Sequence, residues 1–358
     1  MVQTPKTTQG WELHGLGKKS GWDALKWNSA MPLRELGPTE VLVKLHAVSL
    51  NYRDIAIIEG TYPFPVDEGV VPGSDGAGEI IAVGDRVSRF RVGDKVVAYL
   101  FQTGYFSGSA PNPEAMAASI GSTLDGTFRE HGVFDQEGLV AMPSRLRYEE
   151  GAVIQGTFAT VWNCLMGGGR PLHAGDCVLV QGSGGISLAA LQFAVAAGAT
   201  VIATTSSEGK AKKLRELGAS HVINYKHDVE WGATAKKLSP GCVGCTHVID
   251  VAGDPKSFKQ SLEAVAPGGE IEVVGFLATA SAGGEPGPSL LETLLKGCTV
   301  RGIQSGSRQQ LEEVSRVIDA TGTKPVFDPH IFELRDLKNG YQYLADQKHF
   351  GKVVIRIS

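Results

Sequence analysis

Gly182-Ser183-Gly184-Gly185 stands between two apolar stretches in VLVQGSGGISLAALQFA (178–194). Residues 176–182, DCVLVQG, read as a buried strand, and 186–198, ISLAALQFAVAAG, as an alanine-rich helix. A glycine turn in that setting is suited to phosphate. The first glycine makes the turn, the second lets backbone approach a pyrophosphate, and the helix N-terminus favours the negative charge. A lone glycine pattern is weak evidence; the strand before it and the helix after it supply the context. Gly182, Ser183, Gly184, Gly185 and Ile186 are expected to line a dinucleotide site, with Ser187 where a third glycine usually stands.

The next strand discriminates between dinucleotides. An NAD site usually ends it with an acid that holds the ribose 2′-hydroxyl. Here TVIATT (200–205) runs into Ser206, Ser207, Glu208, Gly209 and Lys210. No carboxylate stands at the strand tip to repel a 2′-phosphate, while the Thr205 and Ser206 hydroxyls and Lys210 are near to receive it. Lys210 also reads as a solvated lysine in a first helical turn. The missing acid is the stronger observation, and NADPH (NADP+) is the expected cofactor.

A second constellation is Ser74-Asp75, inside GVVPGSDGAGEI (69–80). The pair either fills a tight corner or stands where another side chain would do chemistry. Cysteine and histidine offer little. Cys164, Cys177, Cys242, Cys245 and Cys298 are odd in number and lack a framework spacing, which fits reduced thiols. Cys242-Val-Gly-Cys245 has no second pair and reads as incidental free cysteines rather than a zinc half-site or redox pair. His46, His131, His247 and His349 are scattered without ligand spacing, and each reads as a satisfied or surface histidine.

The elements that must position these residues fall into two groups. A chain of 358 residues exceeds one typical core, so two domains are expected. Residues 1–150 are strand-like, as in EVLVKLHAVSL (40–50), GEIIAVG (78–84) and GDKVVAYL (93–100). Stretch 104–126 is rich in small residues and reads as a long loop, functional or a disordered insertion. From about 175, strands alternate with helices: 209–219 and 257–269 read as helices, and 221–225, 246–253, 270–276 and 298–304 as strands. That alternation means a doubly wound parallel sheet. The tail adds helices and a final strand that returns to the first domain.

With 42% hydrophobic and 20% charged residues, the composition is that of a soluble globular protein. Lys+Arg 34 against Asp+Glu 38 gives −4 with no basic run, which disfavours nucleic acid or a membrane surface as partner. The N-terminus is polar, without the apolar core of a signal peptide, and no apolar run reaches membrane-spanning length. A cytoplasmic location is expected.

The order of pieces resembles the medium-chain dehydrogenase/reductases. A GroES-like β domain is followed by a Rossmann domain opening with VLVQGSGGISLAALQFA, then by a return ending HFGKVVIRI. The likeness runs from about Val41 to Ile357. It includes SLNYRD (49–54), VPGSDGAGEIIAVG (71–84), RFRVGDKV (89–96), LRELGASHVINY (214–225) and APGGEI (266–271). Within that superfamily the chain is similar to the zinc-type alcohol dehydrogenase-like group, near the quinone and enoyl reductases. The implied fold class is α/β: a GroES-like catalytic domain of 1–150 and 306–358, and a Rossmann domain of 151–305.

In the zinc alcohol dehydrogenases, catalytic zinc is held by Cys, His and Cys, with Glu directly after the His. By position these fall on Asn51, on Ser74-Asp75 and near Gly156. The four-cysteine structural lobe would fall near 100–120, where there is no cysteine. The comparison implies that no metal is bound, and that Ser74-Asp75 is the remnant of a metal site. Further contacts are implied by the resemblance. Asn51 would approach the nicotinamide ribose and Thr160 the nicotinamide. Ser206, Lys210 and Tyr225 would surround the 2′-phosphate. Gly253, Gly275, Phe276 and Leu277 would line the groove, and Gly351-Lys352 would close the nicotinamide end. Arg53 and Asp54 are expected to form a structural ion pair.

Zinc polarises a carbonyl as a Lewis acid. Without it, an activated C=C bond is the better hydride acceptor, because charge developing on the enolate oxygen can be stabilised by hydrogen-bond donors. LNYRDIAIIEGTYPFP (50–65) resembles the segment of enoyl reductases whose G-x-Y-P tyrosine has been proposed as proton donor, which matches Tyr62. Tyr62 reads equally as an aromatic packing over a pocket mouth. The expected function is NADPH-dependent, zinc-independent reduction of an activated alkene. The alternatives are a metal-free carbonyl reductase or alcohol dehydrogenase, and an NADPH-binding sensor without turnover. Relatives pair through the strand matching CTVRGIQ (298–304), so a homodimer is expected.

Overall fold

The computed structural model describes residues 4–17, 20–108, 110–275 and 287–357. They form two compact units, Met1–Ala159 with Ser307–Ser358, and Thr160–Gly306. None of the described helices is long and apolar enough to cross a membrane.

The first unit is built on a seven-stranded sheet. Its spine is Glu40–Ser49, whose alternating Val41, Val43 and Leu45 are buried. This strand pairs antiparallel with Asp75–Val83 and Val354–Arg356, and also with His131–Asp135. Lys95–Ala98 and Leu139–Ala141 extend one side, and Phe332–Glu333 the other. A separate hairpin, Thr7–Leu13 with Leu25–Pro32, joins the same core, where Trp11, Leu45, Phe128 and Tyr341 pack together. The tail contributes helices Arg308–Thr321 and Leu337–Ala345.

The expected loop over 104–126 is folded. Asn112 caps the short helix Pro113–Ala117, accepting from the Ala115 N–H at 2.8 Å. Tyr105, Ser119 and Ser122 are buried beneath it. Small residues that lack a periodic pattern can still pack tightly, and so this order was not visible in the sequence.

The second unit is a six-stranded parallel sheet. In chain order its strands are Cys177–Gln181, Thr200–Thr205, His221–Asn224, Cys245–Asp250, Val265–Val273 and Thr299–Gly302, arranged 3-2-1-4-5-6. This is the doubly wound order, whose direction reverses between the first and fourth strands. The helix read over 257–269 ends at Ala264, and Val265 already begins a strand. The sequence APGG cannot continue a helix, since Pro267 lacks an amide donor and Gly268 takes a φ of +72°. The helix Trp231–Leu238 went unread because its buried face, Trp231, Gly232 and Ala235, carries only one large apolar residue.

Candidate active site

Three strand ends meet in the first unit. Ser49 closes the spine strand opposite Asp75, the first residue of its neighbour, and opposite Val354, the first residue of the other. Strand ends have backbone groups to spare, and here they surround a carboxylate. Asp75 is completely buried. Its Oδ1 accepts from the Gly156 N–H at 3.0 Å, and its Oδ2 from Ser49 Oγ, Asn51 Nδ2 and Lys352 Nζ, each at 2.9 Å. The Lys352 ammonium also donates to Leu50 O and Asn51 Oδ1, both at 2.6 Å. Gly156 lies in a π-helical turn, Ile154–Ala159, and a Cβ there would stand 2.7 Å from Asp75 Oδ2. The carboxylate thus requires the glycine.

A zinc ion does not fit this arrangement. Zinc sites use cysteine, histidine or carboxylate donors in near-tetrahedral array. Asn51 and Gly156 supply an amide and no side chain at all, and Ser74 Oγ lies 3.4 Å from Asn51 Nδ2. The one carboxylate is already engaged by an ammonium. Ser74-Asp75 is therefore more than a filled corner, because Asp75 organises the whole junction.

Tyr62 is half-buried beside this junction's helix, Tyr52–Ile58. Its hydroxyl oxygen accepts from Arg53 Nε at 3.0 Å, and the Arg53 guanidinium stands 5.0 Å from the ring centroid. Among the described residues no acceptor takes the Tyr62 proton. Arg53 Nη2 donates to Ser122 Oγ at 2.9 Å. The expected Arg53–Asp54 ion pair is absent among the described residues, a correction with a simple cause. Consecutive helical residues point about 100° apart, so Asp54 turns back to accept from the Asn51 N–H at 2.9 Å. Complete burial pushes the Asp54 carboxyl up to about 6, with Arg53 offsetting part of the rise.

In the second unit, Gly182 takes a φ of +76°, and a Cβ added at Gly182 or Gly184 would meet nothing within 4 Å. The space above the turn is open, and the helix Gly185–Ala196 begins there without a side-chain cap. Ser187 replaces the third glycine at no loss, since its hydroxyl donates inward to Gln181 O at 2.5 Å. These residues fit a dinucleotide pyrophosphate. At the neighbouring strand tip Thr205 is buried and its Oγ1 accepts from the Ser207 N–H at 3.3 Å, so Ser206 and Lys210 remain partly exposed, with Tyr225 more open still. Glu208 is turned aside, accepting from Asn224 Nδ2 at 2.9 Å. Thr160 is buried at the start of the helix Thr160–Met166. Gly253 holds a φ of +70° and donates to Asp250 Oδ1 at 3.1 Å, while Gly275 lies against Val251 O. Phe276 and Leu277 lie outside the described residues. Gly351, in the first unit, takes a φ of +82° immediately before the buried Lys352.

Sequence reading missed a cluster in the same sheet. His247, Glu270 and Glu272 are buried with ligating atoms within 4.8 Å of one another. His247 Nδ1 pairs with Glu272 Oε1 at 2.9 Å, and Glu270 Oε1 accepts from the Gly169 N–H at 3.1 Å. Arg301 donates to Asn163 O and Cys164 O and lies 3.7 Å from Glu270. Burial pushes Glu272 up to about 7, against the pull of His247. Its only sequence signal was the polar residues in EIEVV, where alternation put Glu270 and Glu272 on one face. Cys245 lies 3.4 Å from Cys177 rather than with the exposed Cys242.

Comparison with known proteins bears on both units. Residues 37–144 match the family model described as alcohol dehydrogenase GroES-like domain, and 185–320 the one described as zinc-binding dehydrogenase. A zinc-type alcohol dehydrogenase-like protein of Schizosaccharomyces pombe is 42% identical over 94% of this chain and 96% of its own. An acryloyl-coenzyme A reductase of Metallosphaera sedula is 30% identical, over 95% and 97% of the two chains. Among solved structures, an NAD-dependent alcohol dehydrogenase superposes with a TM-score of 0.83 at 30% identity, covering 98% of this chain and 100% of that one. A 2-octenoyl-CoA carboxylase reductase in complex with NADP and 2-octenoyl-CoA gives 0.83 at 22% identity, covering 99% and 89%, a likeness of fold.

Proposed function

Because this chain belongs to the medium-chain dehydrogenase/reductase superfamily and is an oxidoreductase of that family, we propose that it is an NADPH-dependent, zinc-independent reductase of activated carbon–carbon double bonds. The observation that carries the reading is Tyr62. Arg53 occupies its oxygen as acceptor and leaves its proton uncommitted, which is the state a general acid needs. The acryloyl-coenzyme A reductase relative supports the same bond type.

Bound NADPH supplies the hydride. The chain's part is to hold the cofactor and to provide the second hydrogen as a proton. Gly182, Ser183, Gly184, Gly185 and Ile186 receive the pyrophosphate, and Ser206, Lys210 and Tyr225 the 2′-phosphate, where Glu208 is withdrawn by Asn224. Thr205, Gly253 and Gly275 shape the groove. Asn51, Thr160, Gly351 and Lys352 serve the nicotinamide end. Tyr62 delivers its proton to the α-carbon. Zinc independence rests on the Asp75 junction, where Lys352 takes the charge-bearing place.

The test is a panel of enones and acyl thioesters followed by NADPH absorbance, with product identification. NADPH should bind about ten- to a hundredfold more tightly than NADH, the worth of one charge-assisted phosphate contact. Tyr62→Phe should lower turnover by about 10²–10⁴-fold with cofactor affinity unchanged. Turnover of ketones or aldehydes alone would replace this reading with carbonyl reduction; binding without turnover of any acceptor would replace it with a sensor.

The proposal includes a cytoplasmic homodimer. The helix Leu290–Lys296 exposes Leu290, Leu294 and Leu295 beside the edge strand Thr299–Gly302, a combination that monomers rarely leave open. Light scattering at micromolar protein reads the mass, and monomer alone would remove the dimer from the proposal.

A further inference from the structure

Asp75 and Lys352 are 277 residues apart, yet they form the centre of the junction. The ammonium has three N–H groups and meets three oxygens: Leu50 O, Asn51 Oδ1 and Asp75 Oδ2. Its side chain is 7% exposed and that of Asp75 is 0% exposed. Of the positions that would carry metal ligands, Asn51 and Gly156 donate to the same carboxylate, and Ser74 Oγ lies 3.4 Å from Asn51 Nδ2. We propose that Lys352 is a tethered replacement for a metal ion: a resident cation that engages Asp75 and whose protons fix the Asn51 amide.

The charges balance at this position. A zinc ion of charge +2 demands anionic or imidazole ligands, whereas one ammonium requires one carboxylate and neutral oxygens, and that is the set present. The consequence for Asn51 is geometric. An amide has two nearly isosteric ends, and a free one can flip. Here Oδ1 must face the ammonium and Nδ2 must face Asp75 and Ser74, so only one orientation satisfies both neighbours. Lys352 is thus a positioning residue acting through Asn51. Gly351 permits it to do so: its φ of +82° turns the chain at a point where a Cβ would strike Val326 O at 2.7 Å.

The test reads ion binding and stability in the full-length protein, so it stands or falls separately from alkene reduction. Lys352→Met and Asp75→Asn should each lower the folding equilibrium constant by about a hundred- to a thousandfold, because each leaves a buried group unpaired. The double variant should lose less than the sum of the two. Lys352→Ala opens a cavity lined by a carboxylate and two carbonyl oxygens, a donor set suited to a hard cation. It should regain stability in ethylammonium but not in propanol. It should also bind one Mn²⁺ per chain by electron paramagnetic resonance, a site that adding Asp75→Asn removes. Should Lys352→Ala fail to fold, the Lys352→Met and Asp75→Asn cycle decides alone. Additive losses in that cycle, or an alanine variant that folds yet responds to neither cation, would overturn the assignment.

Discussion

The charged side chains buried around Asp75 and those buried around Glu272 differ in how completely they are satisfied. Around Asp75, one acid faces one ammonium and every proton of that ammonium meets an oxygen. In the parallel sheet, His247 Nε2, Glu270 Oε2, Glu272 Oε2 and Arg301 Nε are buried without a hydrogen-bond partner among the described residues. Position in the sheet explains the contrast. Asp75 lies where strands end, and Gly156 N–H and Leu50 O complete its surroundings. His247, Glu270 and Glu272 lie within strands paired on both sides, whose backbone groups are committed to the ladder. The nearby helix end and the turn after it contribute backbone there, through Asn163 O, Cys164 O and Gly169 N–H. At the strand ends the Asp75 carboxylate finds donors for both oxygens, whereas in mid-strand Glu272 is buried with one oxygen unpartnered among the described residues.

The strongest way to break this comparison is Arg301→Met. It leaves Glu270 and Glu272 facing each other without their cation, and stability should fall by about 3–5 kcal/mol near neutral pH. Urea unfolding measures it; a loss under about 1 kcal/mol would mean the cluster is already neutral.

Glu272→Gln sharpens it through pH. The Glu272 carboxyl lies at about 7 in the folded chain against an ordinary 4.5. Between these values the native state holds a proton that the unfolded state has released, so stability falls as pH rises through that window and levels off above it. The total is on the order of 3 kcal/mol. His247, Glu270 and Arg301 face the same group. The variant should lose this slope but keep the smaller one from Asp54, which runs in the same direction from 3.8 to about 6. Unfolding curves at about pH 5, 6, 7 and 8 compare the two proteins; identical slopes would count against a proton on Glu272.

Gly156→Ala probes the satisfied cluster with the smallest change. A methyl 2.7 Å from Asp75 Oδ2 must displace the carboxylate, a strain of about 1–3 kcal/mol. The gain in helix propensity, at most about 1 kcal/mol, opposes it. A modest fall in Tm is expected, and a rise would show that Asp75 is free to move.

Much of this was legible because it is local. The glycine turn, its flanking strand and helix, and the strand order of alternating elements depend on neighbours within about twenty residues. Residue identities at Asn51, Ser74 and Gly156 were enough to weigh against zinc. The folded stretch 104–126 was not legible, because its small residues pack without a periodic pattern, whereas the helix end before Pro267 carried a local signal that the reading overran.

The chain's own sequence therefore determined the fold class, the glycine turn and the absence of an acid at Thr205. Tertiary structure alone decided which charges meet. Lys352 reaches Asp75 only because two strands flank Ser49 in a particular register. Arg53 finds Tyr62 rather than Asp54 because a helix turns its residues apart. His247 meets Glu272 because adjacent parallel strands bring them to one face. In each case the partner is set by side-chain direction and strand register, which distance along the chain does not encode.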